Sequence, residues 1–180
     1  MNVVSTAISD VLLIEPTVFG DERGFFMEIW QRQRFADIGI DHDFVQDNYS
    51  RSVRGTLRGL HYQLRQPQGK LVWVNQGAVF DVAVDLRRRS RTFGQWVGEL
   101  LTSENRHMLW IPPGFAHGFY VTSERADFQY KCTDYYAPAH ERSIRWDDPE
   151  LAIEWPLDGA PTVSDKDQQA LLFHESEYFL

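Results

Sequence analysis

Two histidines sit in settings that proton-transfer chemistry could use. His61 lies in Gly-Thr-Leu-Arg-Gly-Leu-His-Tyr-Gln, residues 55–63. Read as a strand over 56–63, the alternation puts Arg58 and Leu60 on one face and His61 on the other, with Leu57, Gly59 and Gln63. Gly55 and Gly59 leave room for something to approach the backbone closely, and polar residues crowd a stretch that would otherwise be sheet wall. His117 lies in Pro-Pro-Gly-Phe-Ala-His-Gly-Phe, residues 112–119, where prolines and glycines restrict the chain around it. An imidazole titrates near neutral pH, so either histidine could serve as a general base. Each also reads as an ordinary hydrogen-bonded strand or turn residue, and nothing local decides between the two.

Other polar side chains fall into the same two-sided pattern. Arg23 stands beside a turn in 19–28, with Glu28 in the strand that follows. The run Arg87-Arg88-Arg89-Ser90-Arg91 could hold a phosphate, but its setting fits a solvated connection better. Tyr130 shares a strand face with Phe128 and Cys132, where a core aromatic is the default, while Lys131 points the other way. A metal centre would need more than the sequence offers. Gln63, not a histidine, stands two residues after His61, and His117 stands apart, so two imidazoles lack a clustered third ligand. Neither a metal nor another cofactor is expected.

The elements that must position these groups are mostly strands. Runs rich in Val, Ile, Phe, Tyr and Trp recur at 11–15, 25–30, 70–77, 78–86, 94–102, 107–112, 118–122 and 127–136, separated by Gly, Pro and Asp. In 78–86 the period is two: Val79, Asp81, Ala83 and Asp85 share one face, and Phe80, Val82, Val84 and Leu86 the other. Gln76-Gly77 predicts a tight reversal between neighbouring strands. Helical patterns occur only at 31–39, ending on a glycine suited to a C-cap, and at 164–173, where Ser164 and Asp167 resemble a capping box. Many short strands with few helices predict an all-β sandwich or jelly-roll barrel with short peripheral helices.

With 180 residues the chain is one domain's worth, spanning 1–180, and no repeat or linker divides it. Its net charge of −8 is uneven. Residues 146–180 hold nine of the acids against Lys166 alone, which leaves the preceding body balanced. That argues against nucleic-acid binding, which wants a basic face; an anionic ligand must be held by a few placed Arg or Lys side chains. No apolar run approaches membrane-spanning length, and the N-terminus lacks a secretory pattern. A single cysteine, Cys132, excludes an internal disulfide framework. Together these predict a cytoplasmic protein.

The blocks FGDERGFFME, QDNYSRS, GTLRGLHYQ, QGKLVWVNQGAVFDVAVDLRRRSRTFGQW, MLWIPPGFAHGF, FQYKCTDYYAP, ERSIRWDDP and SDKD together resemble the dTDP-4-dehydrorhamnose 3,5-epimerase family, from about residue 5 to residue 168. The resemblance implies a cupin-type jelly roll, a homodimer, and an isomerase acting on a dTDP-linked 4-keto-6-deoxyhexose. Carried over by matching position, it makes His61 the catalytic base, Asp167 the carboxylate that orients it, Tyr130 the general acid and Lys70 the group beside the developing enolate oxygen. It makes Arg23, Glu28, Gln46, Asp47, Asn48, Arg58, His117, Glu141 and Lys166 ligand contacts, and Tyr136 an aromatic stacked on thymine. Family members that invert only C3 or only C5 carry similar residues, so the choice among them stays open. The last dozen residues fall outside the resemblance.

The implied chemistry suits these residue types. C3 and C5 both flank the C4 ketone, so their protons can be removed and returned with inversion. The transfer to imidazole is roughly 12 pKa units uphill, about 17 kcal/mol. A placed histidine contributes only ~10²–10⁴-fold, so most of the remainder must come from stabilising the enolate oxygen, a task for an ammonium in a water-poor barrel. Inversion needs a proton donor on the opposite face, and a phenol is uncharged and protonated at neutral pH. Arg23 and Arg58 suit a diphosphate, because guanidinium makes paired hydrogen bonds.

Overall fold

The computed structural model describes every residue, Met1–Leu180. In chain order the strands are β1 (Asn2–Ser5), β2 (Leu12–Glu15), β3 (Val18–Asp21) and β4 (Gly24–Met27). After a short helix α1 (Arg32–Ala36) come β5 (Gln46–Val53), β6 (Leu57–Gln63), β7 (Lys70–Gln76), β8 (Ala78–Asp85), β9 (Trp96–Thr102), β10 (Met108–Ile111), β11 (Phe115–Val121) and β12 (Arg125–Cys132). The chain closes with β13 (Glu141–Ser143) and the one-turn helix α2 (Asp165–Gln168). Two antiparallel sheets carry the fold, a six-stranded one ordered β1-β2-β10-β7-β12-β5 and a five-stranded one ordered β13-β6-β11-β8-β9; β3 and β4 form a separate hairpin. This is the jelly-roll architecture that the strand pattern predicts. No helix is long and apolar enough to cross a membrane.

Three apolar layers hold the sandwich. Between the sheets, Val72 and Val74 of β7, Val79 and Ala83 of β8, Phe119 and Val121 of β11 and Phe128 of β12 belong to one buried cluster. Outside the five-stranded sheet, Val82, Val84 and Leu86 pack with Leu57, Leu60, Ile144, Trp155 and Phe173. The period-two reading of 78–86 therefore holds, with its two faces feeding two different cores. Outside the six-stranded sheet, Leu71, Trp73, Met108 and Trp110 pack with Phe35 and Ile40 from the α1 region. Each buried Val, Leu, Ile, Met or Phe among them contributes roughly 1.5–3 kcal/mol.

Several local expectations change. Gln76-Gly77 is not a hairpin turn, because β7 pairs with β10 and β12 while β8 pairs with β9 and β11. The turn instead carries the chain from one sheet to the other, and a Cβ at Gly77 (φ +81) would lie 2.0 Å from the Arg125 carbonyl oxygen. The strand at 25–30 ends at Met27, since Ile29 and Trp30 turn in to pack beside Phe35. The helix at 31–39 is one short turn closed by Gly39 at φ +91. The helix at 164–173 stops at Gln168; Phe173 belongs to a separate 3-10 turn, anchored by its N–H donating to Asp148 at 2.7 Å. The strand β5 has no apolar period because its inward residues, Asn48 and Ser50, face a polar cleft rather than core.

Candidate active site

The cleft opens between the sheets where β6 departs from regular pairing. His61 lies opposite His117 on β11, but Arg58 lies opposite Phe119, so two residues of β6, Gly59 and Leu60, stand against Gly118 alone on β11. This bulge corrects the simple alternation: Arg58 and His61 share the cleft face, and Leu60 faces the outer core. Gly59 makes the bulge possible. Its φ is +120, and a Cβ there would come within 2.6 Å of Gly118 Cα and 2.7 Å of the His117 carbonyl oxygen, so no side chain fits.

His61 Nε2 lies 2.6 Å from Asp167 Oδ1. The second carboxylate oxygen accepts from the Gly59 N–H at 3.3 Å, and Ser164 caps α2 by accepting from the Asp167 N–H at 3.2 Å. The one-turn helix thus presents a buried carboxylate with both oxygens occupied. Burial by itself would raise the Asp167 pKa, but the hydrogen bond and charge of His61, with the Gly59 N–H, hold it below the usual carboxylate range. An ionised carboxylate only accepts, so the shared proton belongs to His61 Nε2, and in the neutral imidazole the lone pair is on Nδ1.

Across the cleft, the six-stranded sheet supplies Lys70 from β7 and Tyr130 from β12, with Lys70 Nζ 5.7 Å from the centre of the Tyr130 ring. Burial pushes the Tyr130 phenol up to about 12 and pushes the Lys70 ammonium down. Asn48, Tyr49, Ser50, Arg58, His117 and Phe119 complete a cavity of ≈ 260 Å³. Arg58 donates to Ser52 Oγ at 3.1 Å and makes no ion pair, leaving its charge available to an anion.

A family model described as dTDP-4-dehydrorhamnose 3,5-epimerase matches residues 5–175. The chain belongs to the dTDP-4-dehydrorhamnose 3,5-epimerase family. It is 59% identical over 180 residues to the dTDP-4-dehydrorhamnose 3,5-epimerase of Pseudomonas aeruginosa, covering 99% of each chain. It is 42% identical over 171 residues to a dTDP-4-dehydrorhamnose 3-epimerase of Streptomyces niveus, covering 94% of this chain and 82% of that one. Its fold is that of a dTDP-6-deoxy-D-glucose-3,5-epimerase from Legionella pneumophila Philadelphia 1, crystallised in complex with dTDP-4-keto-L-rhamnose. The TM-score is 0.96 at 56% identity, over 98% of this chain and 94% of that one. The protein is an isomerase with the cupin-type jelly roll of these epimerases.

Other residues singled out in the epimerase sequence fall at the rim. Glu141 accepts from the Tyr136 hydroxyl at 2.9 Å and pairs with Lys166 at 2.6 Å. Gln46 accepts from the Tyr136 N–H at 2.9 Å and donates to Asn48 at 3.1 Å. Three positions lie elsewhere. Asp47 points to the outer face of β5 and pairs with Lys131 at 2.8 Å. Arg23, on the β3–β4 hairpin, is 85% exposed and pairs with Asp21; Glu28 pairs with Arg34 at 3.0 Å. None of the three lines the cleft of its own chain.

The run 87–91 is not simply solvated. Arg87 clamps Asp85 and Asp10 at 2.8 and 2.7 Å, which makes it a structural ion pair. Sequence reasoning about the epimerase site passed over Tyr49, Ser50 and Phe119 of the cleft wall and Asp81 beneath His117. Asp81 carried a signal, an acid on the inward face of an apolar strand, whereas Phe119 carried none, since a cleft floor and a core position look alike. No three His, Cys, Asp or Glu side chains are grouped as a metal would require.

Proposed function

We propose that residues 1–180 act as one domain that inverts C3 and C5 of dTDP-4-dehydro-6-deoxy-D-glucose, giving dTDP-4-dehydro-L-rhamnose. The observation that carries this reading is the pairing of His61, on β6 of one sheet, with Asp167 of α2 at 2.6 Å, with Tyr130 and Lys70 on the facing sheet. A sugar held between the sheets has a base on one face and a protonated phenol on the other, as inversion requires. His61 Nδ1 takes the α-proton, and the C–H electron pair moves onto the C4 oxygen beside Lys70. Asp167 holds the resulting imidazolium, and Tyr130 delivers a proton from the opposite face. Arg58 and Lys166 suit the diphosphate, and the exposed Tyr136 suits stacking on thymine. The complex of dTDP-4-keto-L-rhamnose with the Legionella relative supports this ligand class.

Homodimerisation accounts for Arg23 and Glu28. The resemblance makes both of them ligand contacts, yet the hairpin that carries Arg23 stands away from its own cleft with Phe19, Phe25 and Phe26 63%, 57% and 69% exposed. In this reading each hairpin buries its aromatics against a second copy and supplies Arg23 to that copy's cleft. Proton NMR with dTDP-4-keto-6-deoxyglucose in D₂O tests the activity. Deuterium at both C3 and C5 with inversion is the expected result. Deuterium at one carbon alone would make the protein a mono-epimerase like the Streptomyces relative, and none at either would overturn the assignment.

A further inference from the structure

A second histidine–carboxylate pair lies deeper than the first. Asp81, on the inner face of β8, is 0% exposed, and His117 on β11 is 6% exposed. His117 Nε2 lies 2.9 Å from Asp81 Oδ2, while Asp81 Oδ1 is buried without any hydrogen-bond partner. The imidazole is held flat by Phe128, stacked on it at 6.0 Å between ring centres, and Phe128 in turn stacks on Phe119 at 4.3 Å. His117 reaches the cleft beside Lys70 and His61, and its Nδ1 has no partner within the chain.

The two pairs differ in one respect. Both oxygens of Asp167 accept hydrogen bonds, as a carboxylate needs; Asp81 leaves one oxygen sealed and empty. An ionised carboxylate in that state is costly, whereas a carboxylic acid that donates its one proton to Nε2 leaves only a neutral carbonyl unpaired.

We propose that Asp81 is a positioning residue that stays protonated, donates from Oδ2 to His117 Nε2, and thereby fixes His117 as the tautomer whose Nδ1–H points into the cleft as a donor to the C4 oxygen. The proposal rests on the epimerase reading given above. When His61 removes the α-proton and the electron pair moves to the C4 oxygen, His117 meets that oxygen with a neutral donor beside Lys70 and keeps its own proton. Burial drives Asp81 toward its acid form, against the opposing pull of His117 and Lys70. Burial also drives His117 toward its neutral form; Asp81 opposes this, while the positive charges of Lys70 and His61 reinforce it. The logic matches sites where the environment sets two carboxyl groups to opposite tasks.

The test compares three variants and one spectrum. The amide of Asp81→Asn can donate to Nε2 as the acid does, so it should rescue most of the kcat that Asp81→Leu loses. Asp81→Leu should lose kcat by on the order of 10²-fold with KM little changed, the scale of one oxyanion donor. Asp167→Asn should lose on the order of 10³-fold or more, because that site needs an acceptor. In ¹⁵N NMR of the wild-type protein, His117 should carry its proton on Nδ1 with Nε2 bare around neutral pH. A proton on His117 Nε2 would overturn the proposal, as would an Asp81→Asn variant that binds dTDP normally yet is as impaired as Asp81→Leu. The spectrum needs neither turnover nor a variant that folds. Failure of the wild type to exchange deuterium would strike the epimerase reading, while the spectrum would still decide the tautomer.

Discussion

The proposed mechanism gives His61, Tyr130 and Lys70 separable tasks, and each assignment can fail by itself. His61→Asn roughly preserves shape, so it should still bind dTDP but lose both inversion and deuterium uptake at C3 and C5. Tyr130→Phe should still form the enolate; His61 can then return a deuteron to the face it left, giving exchange without inversion. NMR in D₂O reads both outcomes, and equal loss of exchange and inversion in Tyr130→Phe would place Tyr130 in enolate formation instead. In the proposed mechanism the alkaline side of the pH profile belongs to Lys70. Its ammonium is the active form and burial lowers its pKa, so kcat/KM should fall as pH rises through a value below that of an ordinary lysine. Tyr130, pushed up to about 12, loses its proton later. Lys70→Arg should therefore move the alkaline limb upward even where it lowers the plateau, because guanidinium keeps its charge. A limb unchanged in that variant would assign it to another group.

At the scale of elements, the bulge in β6 is what turns two side chains three residues apart toward one cleft. Gly59→Ala forces a Cβ against the Gly118 and His117 backbone at a positive φ, a cost of about 3 kcal/mol or more. Gly159 also has a positive φ of +90 but nothing within 4 Å of a Cβ, so Gly159→Ala should cost only about 1 kcal/mol. At roughly 2–4 °C per kcal/mol for a chain of this size, the two should separate clearly in thermal unfolding. Gly59→Ala should also weaken dTDP binding, because Arg58 moves with the bulge. Equal shifts in Tm would mean that the bulge relaxes around the added methyl.

For the whole molecule, the proposal to test is the relation between two copies. If the β3–β4 hairpin completes the partner's cleft, Arg23→Ala and His61→Asn mixed in equal amounts should recover about a quarter of wild-type activity. Half of the dimers are then mixed, and each holds one complete site. Absence of recovery under conditions where mass spectrometry of differently tagged variants shows mixed dimers would put Arg23 at its own cleft or outside the site. Light scattering of the wild type should give twice the chain mass.

The sequence by itself determined much of what depends on residue type and local period. The alternation in 78–86 assigned its faces, the strand density predicted the jelly roll, and the ordered blocks pointed to the family. Those signals survive because burial on a pleated sheet repeats every second residue. Only the tertiary structure decided the rest. The alternation over 56–63 misplaced Arg58 because a bulge is a property of two paired strands, visible only once β6 meets β11. The polar strand β5 had no period to read, since a cleft replaces its core. Asp167 and His61 are separated by more than a hundred residues, and their 2.6 Å contact exists because α2 folds back over β6. Asp81 read as one acid in an apolar strand. Its empty oxygen, and with it the difference between a carboxylate and an acid, appears only when the two sheets close over it.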